Sequence, residues 1–82
     1  MKKIISLGQL KKESRGGAEF FISLRSSLKS TKWIEYNRQE RLFYVFNYID
    51  GTEQALNQTQ LFDQAYTNIG HAINCGWLYK EH

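Results

Sequence analysis

The sequence predicts an α+β fold: a small two-layer sandwich in which an antiparallel meander of three or four strands carries a C-terminal helix on one face. Three observations lead there. Apolar and aromatic residues alternate or cluster at strand spacing over residues 19–25, 31–36 and 41–49. The connections after the second and third of these segments are short and polar. From Leu61 onward the apolar residues switch to helical spacing.

Taken in order, Ile4 to Leu7 have the composition of a short first strand. Residues 8–18 then read as a loop, because Gly8, Ser14, Gly16 and Gly17 interrupt any pattern and Lys11, Lys12, Glu13 and Arg15 solvate it. Residues 9–18 are the expected mobile segment. Residues 19–56 are the expected antiparallel sheet. In 19–25, Phe20, Ile22 and Leu24 share one face while Phe21, Ser23 and Arg25 share the other. The chain turns through Ser26–Ser30, and Thr31–Tyr36 is β-branched and aromatic. Asn37–Glu40 is a connection of hairpin length, and Arg41–Ile49 gives the strongest strand signal. Asp50-Gly51 is a favoured two-residue hairpin turn, after which Thr52–Leu56 returns as a short strand or leads into the helix.

Residues 57–76 are the expected helix. Leu61, Phe62, Ala65, Tyr66, Ile69, Ala72 and Ile73 form one apolar stripe. Asn57 followed by Gln60 is a capping-box start, with Thr59 as a rival cap, and Gly76 suits a left-handed helix end. Gly70 falls opposite the stripe, where glycine costs about 1 kcal/mol relative to alanine. It marks a break if Asn68 caps a second short helix. Trp77 and Leu78 then pack back on the body or add an edge strand.

Eighty-two residues make one domain, 1–82, with 41% apolar and 15% aromatic residues, enough for a packed core. A chain of this size buries roughly 60–65% of its extended surface, which leaves little for a deep pocket. One cysteine, Cys75, excludes an internal disulfide framework and makes a cytoplasmic setting the expectation. The opening MKKIISLGQLKK has too short an apolar run for a signal peptide, and no stretch suits a membrane span. No membrane role is expected.

Charge is uneven. Residues 1–41 hold ten Lys/Arg against four Glu, a balance of +6, and residues 42–82 balance at −3, which together give the net +3. Such asymmetry suits an acidic partner, and equally suits plain solubility. The third strand is apolar on both faces, with Phe43, Val45 and Ile49 one way and Leu42, Tyr44, Phe46 and Tyr48 the other. One helix covers one face only. The second face is closed by Ile4, Ile5, Leu7 and Leu10, or pairs with a second copy, or binds a ligand or partner.

No catalytic residues, cofactor or metal are expected. His71 and Cys75 share a helical face, but two ligands do not make a structural zinc site, and the acidic residues are scattered. Gly16-Gly17 lacks the lysine and the helix signal of a phosphate loop. The leading function from sequence is therefore a non-enzymatic binding module. Its expected partner is nucleic acid, with bases stacking on Trp33, Tyr44, Phe46 and Tyr48 and phosphates met by a rim of Arg25, Lys29, Lys32, Arg38 and Arg41. The alternative is a protein-interaction or inhibitor module, as a homodimer or on another protein, through the same face.

Overall fold

The structure is a computed structural model that describes residues 1–23 and 29–81. Among these residues it is an α+β fold built on one six-stranded antiparallel sheet and three short helices. The strands are β1 (Lys2–Lys3), β2 (Ala18–Ser23), β3 (Lys29–Asn37), β4 (Leu42–Asn47), β5 (Thr52–Leu56) and β6 (Leu78–Lys80). Their order is β1-β6-β2-β3-β4-β5. The expected meander is β2 to β5, with each strand antiparallel to the next. Of the expected turn at 26–30, Lys29 and Ser30 belong to β3, and residues 26–28, with Leu24 and Arg25, lie outside the described residues.

The two extra strands are too short to carry a periodic signal. They exist because the chain end returns. Gly76 closes helix α3 (Ile69–Cys75) at φ 73 and sends the chain back along β2. Ser23 N–H then donates to the Trp77 carbonyl at 2.9 Å, and Ile4 N–H donates to the Leu78 carbonyl at 2.8 Å. β6 is thus an interior strand, not an edge.

Residues 7–13 are helix α1 (Leu7–Glu13), not strand or loop. Ser6 caps it by accepting from the Gln9 N–H, while Gln9 Oε1 accepts from the Ile5 N–H at 2.9 Å. Leu7 and Leu10 lie on its inner face, and Leu10 is fully buried. Buried Ser14 ends the helix, and its carbonyl accepts from the Tyr36 N–H at 2.9 Å. That bond ties α1 to β3.

The single helix expected over 57–76 is two. Helix α2 (Gln58–Leu61) starts with the capping box of Asn57 and Gln60 that the sequence predicts. It stops because side chains take over the backbone groups a longer helix would use. Thr67 Oγ1 donates to the Leu61 carbonyl and accepts from the Ile69 N–H, both at 3.1 Å, and Asp63 accepts from the Ala65 N–H. Asn68 occupies the cap position of α3 without a side-chain cap bond. The stripe divides accordingly: Leu61, Ile69, Ala72 and Ile73 are buried, while Phe62, Ala65 and Tyr66 are exposed. Gly70 is buried rather than opposite the core, and a Cβ there would stand 2.4 Å from the Phe62 ring.

Both hairpin connections around β4 span four residues, 38–41 and 48–51, and end in a left-handed residue: Arg41 at φ 57 and Gly51 at φ 68. Asn37 and Asn47 open them by accepting backbone N–H bonds. The connection after β4 is therefore not the two-residue Asp50-Gly51 turn. Ile49 sits in it, 73% exposed, instead of facing the core with Val45.

One hydrophobic core joins Phe20, Ile22, Ile34, Phe43, Val45, Leu56 and Leu78 of the sheet to Ile4, Leu10, Leu61, Ile69, Ala72 and Ile73. The strand residues alternate in register, so they lie on one face of the sheet. Truncating fully buried Phe20 or Phe43 to alanine would cost about 3–5 kcal/mol. Ile4, Leu7 and Leu10 pack on this face with α2 and α3, and Ile5 is exposed. The N-terminal residues therefore do not close the second face.

Candidate functional site

On the second face the register sets side chains in rows across the strands. The central row runs Glu19 (β2), Trp33 (β3), Phe46 (β4), Glu53 (β5), each opposite the next. On one side of it lie Glu35, Tyr44 and Ala55; on the other lie Lys3, Tyr79, Phe21 and Thr31. Among the described residues, no helix belongs to this face.

The rings are held. The indole of Trp33 lies against the backbone at Gly17, so closely that a Cβ there would be 2.1 Å from it. Gly17 adopts φ +86, which also favours glycine. Tyr48, from the turn after β4, reaches over β3 and donates its hydroxyl to Glu19 Oε1 at 2.6 Å. Its ring meets Phe46 edge-on, with centroids 5.0 Å apart. Tyr44 donates to Glu40 Oε1 at 2.6 Å, and Phe21 stacks on Tyr79. The bonds to Glu19 and Glu40 favour the neutral phenols and hold Tyr48 and Tyr44 above the ordinary tyrosine range. Glu19 Oε2 is buried and has no hydrogen-bond partner among the described residues. Trp33, Phe46, Tyr48 and Glu53 line a shallow depression of about 310 Å³.

The aromatic residues predicted from sequence thus come together: Trp33, Tyr44, Phe46 and Tyr48 share this face. Of the predicted basic rim, Lys32, Arg38 and Arg41 do not join them, whereas Lys29 holds a strand position of the same face. Lys32 alternates with Trp33 and falls on the helix side, 8% exposed, where burial lowers its pKa and Asp50 partly offsets the effect. Arg41 is exposed in its turn and lines a separate hollow with Lys11, Tyr36 and Phe43. Arg38 is exposed in the same turn. Arg25 and the Lys29 side chain lie outside the described residues. Among the described residues, two cations hold strand positions of this face: Lys3 on β1, where its ammonium lies over the Tyr79 ring, and Lys29 at the start of β3, opposite Ser23.

The residues that sequence reasoning missed are the carboxylates. Alternation puts Glu19 with Phe21, but nothing in the chain reveals that Glu19 stands opposite Trp33, or Glu53 opposite Phe46. Elsewhere, His71 and Cys75 are both exposed, with Cys75 Sγ 3.6 Å from His71 Nε2 and the imidazole edge-on to Trp77. Among the described residues, no group of three or more His, Cys, Asp or Glu could hold a metal ion, and no helix is long and apolar enough to cross a membrane.

Comparison with protein-family models, curated proteins and solved structures finds no match to the chain, so the face is interpreted from its own residues.

Proposed function

We propose that this protein is an interaction module that docks a basic segment of another protein on its aromatic sheet face. The observation that carries the reading is the row Glu19, Trp33, Phe46, Glu53. Ring faces attract cations through their quadrupole, and carboxylates at both ends of the row add to the same field. Glu35 beside Tyr44 and Glu40 on its hydroxyl extend that field. A lysine- or arginine-bearing segment complements it.

The charge also ranks the other occupants. Nucleic acid stacking on these rings would bring its phosphates toward carboxylates rather than toward Lys32, Arg38 and Arg41. A second copy docking face to face would bring two sets of Glu19, Glu35 and Glu53 together, and like charges there oppose association.

The test is fluorescence anisotropy at low salt with labelled short peptides, one lysine- and arginine-rich and one acidic, and with labelled single-stranded oligonucleotides. The basic peptide is expected to bind, and to weaken as salt screens the face. The acidic peptide and the oligonucleotides are expected not to bind. Tighter binding of the oligonucleotides than of the basic peptide would replace this reading with the nucleic-acid one. Self-association in light scattering that Glu53→Arg strengthens would point to a dimer.

A further inference from the structure

The depression between Trp33, Phe46, Tyr48 and Glu53 is more specific than the face around it. Resting on the docking function proposed above, we infer that it is the subsite for one arginine side chain of the basic partner.

Its walls come from three adjacent strands and one turn, in fixed register. Trp33 and Phe46 are cross-strand partners on β3 and β4, and Glu53 is the partner of Phe46 on β5. Tyr48 closes the hollow from the turn that joins β4 to β5. Two of the walls are fixed before any ligand arrives. The indole is seated on the Gly17 backbone, and the Tyr48 hydroxyl is anchored to Glu19. A pre-set wall loses little freedom on binding, which favours affinity.

The shape and chemistry select guanidinium over ammonium. The hollow is shallow and open on one side, so it does not enclose a rounded ammonium head. A planar guanidinium instead stacks on an aromatic face and keeps its edge donors free. Here the ring faces belong to Trp33 and Phe46, and the carboxylate next to Phe46 is Glu53. Glu53 is exposed and, among the described residues, holds no ion pair within 4.0 Å, so both of its oxygens can receive a fork of two N–H donors. Glu19, at the other end of the row, offers no such edge. One of its oxygens is engaged by Tyr48 and the other is buried. The guanidinium therefore takes its carboxylate from β5 and its stacking surface from β3 and β4.

The experiment is isothermal titration calorimetry of the full chain with three short peptides that differ at one central position: arginine, lysine or citrulline. Citrulline keeps the shape and removes the charge. The arginine peptide is expected to bind best, lysine a few-fold more weakly, and citrulline about ten-fold more weakly or worse. Glu53→Gln and Phe46→Leu should each shrink the arginine-to-citrulline ratio toward unity, whereas Lys11→Gln, on the opposite side of the molecule, should leave it unchanged. Because Glu53 is exposed, its variant tests the subsite even where Phe46→Leu disturbs packing. If all three peptides bind equally, the docking face stands and the arginine subsite is wrong. If none binds, the docking function falls, and the subsite with it.

Discussion

Two glycines occupy the same place in their helices, and the structure assigns their alanine variants opposite signs. Gly8 is the second residue of α1, and Gly70 is the second residue of α3. Neither has a positive φ, so no backbone strain separates them. A Cβ on Gly8 meets nothing within 4 Å, while one on Gly70 meets the Phe62 ring at 2.4 and 2.5 Å and the Phe62 Cα at 2.7 Å. The half-exposed ring could swing aside, but the Cα is main chain and moves only if α3 shifts from the end of α2. Alanine gains up to about 1 kcal/mol of helix propensity at either site. Overpacking of a tight contact costs about 1–3 kcal/mol. Gly8→Ala should therefore be neutral or raise stability, and Gly70→Ala should lose about 1–2 kcal/mol. For a chain of this size that loss lowers Tm by about 4–8 °C per kcal/mol. Urea and thermal unfolding followed by circular dichroism, on both variants side by side, measures the difference. Equal shifts of the same sign would refute the claim that the approach of Phe62, not local propensity, governs position 70.

Three further outcomes follow from the same geometry. Gly17→Ala combines a positive φ with a Cβ inside the Trp33 indole, so it should cost about 2 kcal/mol or more and shift tryptophan emission, read by equilibrium unfolding and fluorescence. Lys32→Met should stabilise the fold at neutral pH, because the native environment disfavours the ammonium. Between its lowered native pKa and the ordinary 10.5 the unfolded chain binds the extra proton, so wild-type stability gains a rising contribution with pH across that window; unfolding midpoints in a pH series should lack that contribution in the variant. Tyr48→Phe should lower stability slightly through the lost bond to Glu19, read by equilibrium unfolding. Above pH 10.0 the native phenol of Tyr48 holds its proton while the unfolded one releases it, so this group makes stability fall as pH rises, and the variant should fall less steeply in alkaline denaturation.

The legible parts of the fold were those where side-chain period decides structure. Phe20 and Ile22 against Phe21, and Phe43 and Val45 against Tyr44 and Phe46, assigned their faces by alternation alone. The capping box at Asn57 and the left-handed end at Gly76 are local chemistry and were equally readable. Helix α1 was hidden by its charges, although Ser6-x-x-Gln9 before Leu10 is a start signal. The helix break escaped because Asp63 and Thr67 compete for backbone bonds only once the loop has folded. β1 and β6 were invisible because two- and three-residue strands exist only through their partners. For the site, the aromatic members were legible and the carboxylates were not. Lys32 sits next to Trp33 in the chain and on the opposite side of the sheet, whereas Glu19 and Glu53 are distant in sequence and share its row.

The central claim is that the carboxylate-flanked aromatic row, and not the basic surface around Lys11 and Arg41, is where this protein meets its partner. Chemical-shift mapping by two-dimensional NMR, with an arginine-rich peptide titrated into the full chain, tests it most directly. The account predicts that the shifts gather on the Trp33 indole N–H and on the amides of Phe46, Tyr48 and Glu53, and fade as salt is added. Shifts that gather instead on Lys11, Tyr36 and Arg41, with the Trp33 indole unmoved, would contradict it.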